Sequence, residues 1–321
     1  MPWEHVWMEL EVLRHFQEVA EGATVTDTAA RALVAQPALS RALRRLEAEV
    51  GAQLLVKVGR NLHLTPAGRT FKQHVDAMLD DADLGLRAVR EAVDPDGGVI
   101  TLGFMHTLGT AVVPALITAF VQRRPKVRFE LSQDREDILL EQLLTGRLDL
   151  ILISRRPDRQ VVSSELLYEE PIRLAVPPGH PLAKRATIRL SSLKDEPFVM
   201  QKHGHSLRET TDSLCTAAGF MPHITFEGDE VATLAGLVSA GLGVSLLPPP
   251  PDPDGGFHEG RFHEGQGLPR YLKVTDVHAV RSIRLAALSS RDLPPATRHF
   301  SEDVLDYGRL RREALGAGQR A

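Results

Sequence analysis

The segment Asp94-Pro95-Asp96-Gly97-Gly98 divides the chain into two parts that obey different periodicities. Proline removes a helix donor and the glycines favour a turn, so a helix is not expected to continue through it. Before it, apolar residues recur every three or four positions. After it, strand-length apolar runs alternate with amphipathic stretches. The chain is therefore expected to pair a small helical domain with a larger α/β one. Its 321 residues suffice for two or three cores.

From Val99 the runs read strand, helix (Ala111 to Val121), strand (Val127 to Leu131), helix (Ile138 to Leu144) and buried strand (Leu148 to Ile153). That order implies a parallel sheet with right-handed crossovers. The rhythm restarts at Ile172 to Val176 and continues through Phe198-Val199-Met200, Leu207 to Ala218, Ile224-Thr225-Phe226, Val231 to Ala240 and Val244 to Leu247, so two similar lobes are expected. Strand-like Leu272 to Val274 and Ile283 to Leu288 follow, with a closing helix around Ala296 to Tyr307.

The composition, 43% hydrophobic and 25% charged, fits a soluble globular protein and argues against disorder or a fibrous rod. Cys215 is the single cysteine, which rules out an intramolecular disulfide and any C-x-x-C motif. The N-terminus lacks the basic-then-apolar pattern of a secretory signal, and the uncharged stretch Val231 to Pro251 is too broken by glycine and proline to span a bilayer. A cytoplasmic location and no membrane association are expected. The net charge of −4 means that any nucleic-acid surface must be a local patch.

Such a patch lies in the first part. Thr26 to Leu33 reads as a short helix capped by Thr26, Val34-Ala35 as a turn, and Gln36 onward as a second helix with Pro37 at its first position. Leu39, Leu43, Leu46 and Val50 recur at 4, 3 and 4 residues on one face, and Pro37, Ser40, Arg41, Arg44 and Arg45 occupy the other. This is a helix-turn-helix whose second helix suits a major groove. Gln36, Ser40 and Arg41 can reach base edges or phosphates, and Arg44 and Arg45 suit phosphates. Residues 31–60 hold six basic side chains against two acidic ones. An ordinary solvated helix face accounts for these arginines equally well. Two short strands between Leu54 and Thr65, around a glycine turn with Lys57 and Arg60 near its tip, have the form of a wing and favour DNA.

Here the chain closely resembles the LysR-type transcriptional regulators. The resemblance rests on Leu13-Arg14-His15-Phe16, Val19-Ala20-Glu21, Gln36-Pro37-Ala38-Leu39-Ser40-Arg41, Leu46-Glu47, Gly51, Gly59-Arg60 and Leu64-Thr65-Pro66-Ala67-Gly68. Later marks are Gly146-Arg147-Leu148-Asp149, Pro178-Gly179-His180-Pro181-Leu182 and Ala240-Gly241-Leu242-Gly243-Val244. Ala35 stands where the family usually has serine, which removes one candidate phosphate contact, and Val25 and Leu55 replace phenylalanines. Within the family, His106 to Thr110, His203 to Arg208 and Phe226-Glu227-Gly228 look like the branch that includes the regulator of glutamate synthase.

The resemblance implies an all-α winged helix-turn-helix (1–65, with Thr26 among the DNA contacts), a dimerising linker helix (66–93) and an α/β two-lobed, type-II periplasmic-binding-protein-like effector domain (94–305). Lobe I would span about 98–169 and 277–305, lobe II about 170–276, with a flexible tail at 306–321. It also implies a palindromic operator on double-stranded DNA, assembly as a dimer of dimers (a homotetramer) and contact with RNA polymerase. On the linker helix, Phe71, Val75, Met78, Ala82, Leu86, Val89 and Val93 recur at 4, 3, 4, 4, 3 and 4 residues, a nearly straight seam suited to pairing. The first six are the candidate dimer contacts.

Two-lobed sheets hold ligands beyond the carboxyl ends of their strands, where helix N-termini present free N–H groups. The residues at those positions are Thr107, Leu108, Gly109, Gln133, Arg135, Ser154, Arg155, His203, His205, Ser206 and Asp229. Plainer roles exist for them: Thr107, Ser206 and Asp229 as helix caps, His203 and His205 as loop hydrogen-bonders, Arg135 and Arg155 as surface charges. The basic residues and helix N-termini favour a small anionic or amino-acid-like effector. No nucleophile elbow, P-loop or zinc-hydrolase motif occurs, so no catalytic residue, metal or cofactor is expected. The alternative is a dehydratase- or transferase-like crevice with a DNA-binding appendage. The tandem Phe257-His258-Glu259-Gly260 and Phe262-His263-Glu264-Gly265 lacks the spacing for one helix face, and Cys215 reads as a core thiol.

Overall fold

The computed structural model describes residues 9–58, 61–93, 97–250, 268–289 and 292–318. It separates into two compact units, residues 1–89 and 90–321.

The first unit holds α1 (Leu10–Ala20), α2 (Val25–Arg31), α3 (Gln36–Val50), strands β1 (Leu55–Val58) and β2 (Asn61–Leu64), and all but the last residues of α4 (Pro66–Val93). Its core is the set of apolar stripes: Val12, Leu13, Phe16 and Val19 of α1 against Leu39, Leu43 and Leu46 of α3. The α2 N-cap is Thr24 rather than Thr26, its hydroxyl accepting from the Asp27 N–H at 3.1 Å. Thr26 is instead exposed within the first turn. Ala35 caps α3, which places Pro37 one residue deeper than its sequence position suggested, still among the donors without helical partners. Glu47 ties α3 to the hairpin by accepting from the backbone N–H groups of Leu54 and Leu55 at 2.8 and 3.0 Å. Strands β1 and β2 pair antiparallel.

Thr65 begins α4 by accepting from the Gly68 N–H at 2.9 Å. A Cβ on Gly68 would lie 2.0 Å from the Leu54 carbonyl oxygen, so helix and hairpin meet only if this residue is glycine. The helix also corrects the seam. Val75 is fully buried in the core of its own domain, with Leu79 beside it, and Phe71 packs 5.5 Å from Phe16. An amphipathic helix has one face for its own core, and the first three turns of α4 spend theirs on α1. Among the described residues, the large apolar side chains of α4 left exposed are Met78, Leu86, Val89 and Val93.

The second unit starts as the alternating runs require: β3 (Gly98–Phe104), α5 (Val112–Arg123), β4 (Val127–Gln133), α6 (Glu136–Leu144) and β5 (Leu150–Ile153). Strands β4, β3 and β5 are parallel neighbours. Asp149 locks β3 to the approach of β5, its carboxylate accepting from the Thr101 N–H and hydroxyl at 3.0 and 2.7 Å. Next comes β6 (Val162–Pro171), a strand that sequence periodicity did not reveal. The chain then enters the second lobe through β7 (Arg173–Val176), β8 (Thr187–Ile188), β9 (Pro197–Gln201), α7 (Ser206–Ala217), β10 (His223–Gly228), α8 (Val231–Ser239), β11 (Ser245–Leu247) and β12 (Arg270–Val274), and returns by β13 (Val280–Leu288) to α9 (Pro295–Gly318).

The first lobe is a five-stranded sheet in the order β4-β3-β5-β13-β6, with β13 antiparallel to both neighbours. The second lobe corrects the expected parallel sheet. Its four strands run β11-β7-β12-β8 with β7 antiparallel to β11 and β12 and with β12 parallel to β8, and a separate parallel pair β9-β10 is joined through a Phe198–Val244 bridge. The chain passes between lobes at the ends of β6 and β13, where Ile172 N–H donates to Ala279 at 2.8 Å.

The expected flexible tail at 306–321 is also corrected, because α9 continues to Gly318. Arg311 lies 4.8 Å over the Tyr168 ring, and Arg312 donates to the Leu166 and Leu167 carbonyls at 2.5 and 2.6 Å. Arg311 is half-buried in this packing, and Arg312 is exposed but tied to the backbone of β6. The FHEG tandem at 257–265 lies outside the described residues, and no described helix is long and apolar enough to cross a membrane.

Candidate DNA-binding surface and ligand pocket

The outward face of α3 is as the leucine spacing predicts: Gln36, Pro37, Arg41, Arg44 and Arg45 are exposed and Ser40 is half-buried. The side chains are not equivalent. Gln36 Nε2 donates to the Ser40 hydroxyl at 2.9 Å, a contact that orients both, and Arg44 Nε donates to the Ser40 carbonyl at 3.2 Å. Arg45 is shared between Glu9 at 3.3 Å and Glu49 at 3.6 Å, so its charge is partly spent within the domain. Arg41 has no ion-pair partner among the described residues. Lys57 is exposed on β1, and Arg60 lies outside the described residues.

In the second unit a small, open pocket lies between the lobes. It draws residues from the ends of β3 and β4 and the start of α6 on one side, from the β9-to-α7 turn on the other, and from β13. Among the candidates, Thr107, Arg135, His205 and Ser206 line it, joined by Met105, His106, Asp134, Glu136, Gln201 and Arg281.

The other candidates fall elsewhere, for identifiable reasons. Leu108 is fully buried in the first lobe's core, and Gly109 packs against the Phe104 ring. Gln133 is exposed and reaches only the His106 carbonyl, at 3.5 Å. Ser154 donates its N–H and hydroxyl to the buried carboxylate of Glu136, both at 2.7 Å. Arg155 bridges the lobes, pairing with Glu136 at 3.1 Å and with Glu209 of α7 at 2.6 Å. Burial works against its charge, but those two carboxylates outweigh it and hold the guanidinium pKa above its usual value. His203 accepts from Arg208 Nη2 at 3.0 Å, outside the pocket. Asp229 pairs with Lys202 at 2.6 Å and His205 at 3.5 Å; the Lys202 hydrogen bond is the main cause that keeps its carboxyl below the usual range.

Sequence reasoning missed Arg281, the most buried cation of the pocket. Its side chain is 2% exposed, pairs with Glu170 at 2.5 Å and donates from Nη2 to the Thr107 hydroxyl at 2.9 Å. A signal did exist: Arg281, Ile283 and Leu285 alternate along one strand, which puts the arginine on the same inward face as the two apolar residues. Contact across the crevice is close elsewhere too. Gly204, at φ +91°, sits so near Arg135 that a Cβ would lie 3.2 Å from its guanidinium. His106 and His205, one from each lobe, stack edge to face at 6.2 Å. Among the described residues no group of three or more His, Cys, Asp or Glu side chains is placed to hold a metal.

A winged helix-turn-helix followed by a two-lobed domain with a polar pocket between its lobes defines a ligand-responsive DNA-binding regulator. Residues 10–69 match the family described as bacterial regulatory helix-turn-helix protein, lysR family, and residues 94–309 match the LysR substrate binding domain. The chain is 37% identical over 300 residues to the uncharacterized HTH-type transcriptional regulator YybE of Bacillus subtilis, covering 94% of this chain and 99% of that one. It is 34% identical over 304 residues to the transcriptional dual regulator GltC of the same organism, covering 94% and 97%. The effector-binding domain of QuiR, solved in complex with shikimate, aligns with TM-score 0.58 and 25% identity over 66% of this chain and 98% of that one. The chain belongs to the LysR family of transcriptional regulators, and its relatives of that family are regulators rather than enzymes.

Proposed function

We propose that α3 reads the operator with Gln36, Ser40 and Arg41, that Thr26, Pro37, Arg44, Arg45, Lys57 and Arg60 set its position on the sugar-phosphate backbone, and that a small acidic or amino-acid-like effector between the lobes changes how tightly the operator is held. The exposed face of α3 carries this reading: it presents an arginine without an ion-pair partner among the described residues, beside a glutamine and a serine that orient each other. Arginine and glutamine are the side chains that make bidentate contacts to guanine and adenine edges.

The exposed Met78, Leu86, Val89 and Val93 of α4 support pairing of two chains. A dimer presents two recognition helices to a palindromic site, and the dimer-of-dimers assembly and RNA polymerase contact belong to the same reading. The chain would act in the cytoplasm. For the effector, the lining by Thr107, Arg135, His205 and Ser206 supports the placement, and QuiR supplies a precedent, since shikimate is a small carboxylic acid.

Selection of bound fragments from a random DNA pool, followed by titration of the enriched duplex, tests the reading. Arg41→Ala and Ser40→Ala should each cost about 1–3 kcal/mol on that duplex. Wild-type affinity in both variants would remove α3 from recognition.

A further inference from the structure

Leu33 is exceptional in two respects. Among the described residues it is the only one other than glycine with a positive φ, +57°, and it is the most exposed large apolar side chain, at 94%. The first property follows from the way α2 ends. Val34 N–H donates to the Ala29 carbonyl at 3.0 Å and Leu33 N–H to the Ala30 carbonyl at 3.3 Å, the paired bonds of a left-handed helix cap. That position suits glycine or asparagine, because a longer side chain's Cβ crowds the following carbonyl there. Leucine therefore adds strain, and its exposed side chain gains no packing within its own domain to offset it.

Residues strained in this way cluster where a chain meets a ligand. The place of Leu33 identifies the partner. Leu33, Val34, Ala35, Gln36 and Pro37 form an unbroken exposed stretch that leads into α3, so the leucine is continuous with the surface offered to DNA. No side chain from Ala32 to Ala35 can donate or accept a hydrogen bond, so these side chains cannot read polar base edges or hold a phosphate. What an apolar side chain can meet in a major groove is the C5 methyl of thymine.

We propose that Leu33 is a specificity-determining residue: with Val34 beside it, it packs on a thymine methyl next to the bases that α3 reads. This rests on the placement of α3 in the major groove and adds a preference for thymine at the edge of its site. Asparagine or glycine at this position would relax the turn and leave the methyl uncovered. The strain and the exposure then have one cause, since both are resolved only when DNA is bound.

The test uses the intact chain and the duplex selected by the wild type. Thymines are replaced by deoxyuridine, one symmetry-related pair at a time, which removes only the methyl. At one such pair the wild type should lose about fourfold in affinity per half-site, the worth of one buried methyl. Leu33→Asn and Leu33→Gly should lose at least as much on the unmodified duplex and nothing further when that pair becomes deoxyuridine, while binding a scrambled duplex as the wild type does. Their unfolding midpoints should equal the wild type's or exceed it by up to about 4 °C, because the left-handed turn is relaxed. Wild-type operator affinity in both variants, a wild type indifferent to every deoxyuridine, losses that add instead of overlapping, or lowered unfolding midpoints would each overturn the assignment. Unchanged operator affinity with weaker transcription in a reconstituted polymerase assay would make Leu33 a protein contact and overturn it too. If the Leu33 variants behave as wild type while Arg41→Ala loses the selected duplex, only this inference fails; if Arg41→Ala also binds as wild type, the reading of α3 fails with it.

Discussion

Leu79 and Leu86 lie two turns apart on α4, yet the structure assigns them opposite duties, and truncating each should expose the difference. Leu79 is 2% exposed and packs in the first unit's core, while Leu86 is 55% exposed. Leu79→Ala removes three buried carbons, about 2.4 kcal/mol at about 0.8 kcal/mol each, and the cavity term brings the cost to about 3–4 kcal/mol. In a domain whose whole stability is about 5–15 kcal/mol that is a large fraction. Leu86→Ala loses at most half as much burial in the isolated chain, about 1 kcal/mol. Its effect belongs to association, and Leu86→Asp should enlarge it by burying an unpaired charge. Denaturant unfolding and sedimentation velocity, both run across protein concentration, separate the two. Leu79→Ala should lower the unfolding midpoint and leave the sedimenting species at conditions where the chain is folded. Leu86→Asp should shift the species toward monomer. The reverse pattern, or a wild type that is monomeric at micromolar concentration, would refute the division of α4 into a core-facing half and a pairing half.

Thr107→Val removes the hydroxyl that Arg281 reaches, and should erase the effector-dependent change in operator affinity measured by anisotropy. Burial pushes the Cys215 thiol up to about 12, so native protein should resist iodoacetamide at pH 8, and peroxide should leave operator affinity unaltered; rapid alkylation would contradict the buried placement. Asp276 is held below the ordinary carboxylate range: burial acts against it, but bonds from Ser191 and from the Leu190 N–H outweigh that. Its depressed pKa gives stability that is present above the ordinary value of about 3.9 and is lost as pH falls through the folded one. Asp276→Asn should therefore lower the thermal midpoint at pH 7, with the gap to wild type closing below about pH 4. A gap that does not narrow as the pH falls through the acid range would show that the carboxylate's charge is not the cause.

How much of this was legible in the sequence depended on whether a residue's role follows from its neighbours along the chain. The recognition helix was readable because Leu39, Leu43 and Leu46 settle which face is buried, which leaves Ser40, Arg41 and Arg44 outward. The first-lobe strands were readable because βαβ order dictates a parallel sheet. Periodicity could not say which partner an apolar face meets, so Phe71 and Val75 looked like seam residues although Phe16 and the α1 stripe already cover them. In the second lobe, strands β7 and β12 come from distant segments, and their antiparallel pairing has no local sign. The pocket was half-readable for the same reason. Thr107 and Ser206 follow strand ends and stand out, whereas Ser154 and Arg155 follow a strand end equally well and are drawn away by Glu136, a long-range contact. Arg281 lies inside a strand, where only its alternation with Ile283 and Leu285 betrays that it is buried.

The most direct test of the account is anisotropy titration of the intact chain, at fixed salt, on its selected duplex and on a scrambled duplex of the same length. Specific sites are bound about 10³-fold or more tighter than nonspecific DNA, and the wild type should show that ratio. Arg41→Ala should lose about one to two orders of magnitude on the selected duplex and far less on the scrambled one. Equal affinity of the wild type for both duplexes, or a loss in Arg41→Ala that is the same on both, would contradict the claim that α3 reads sequence.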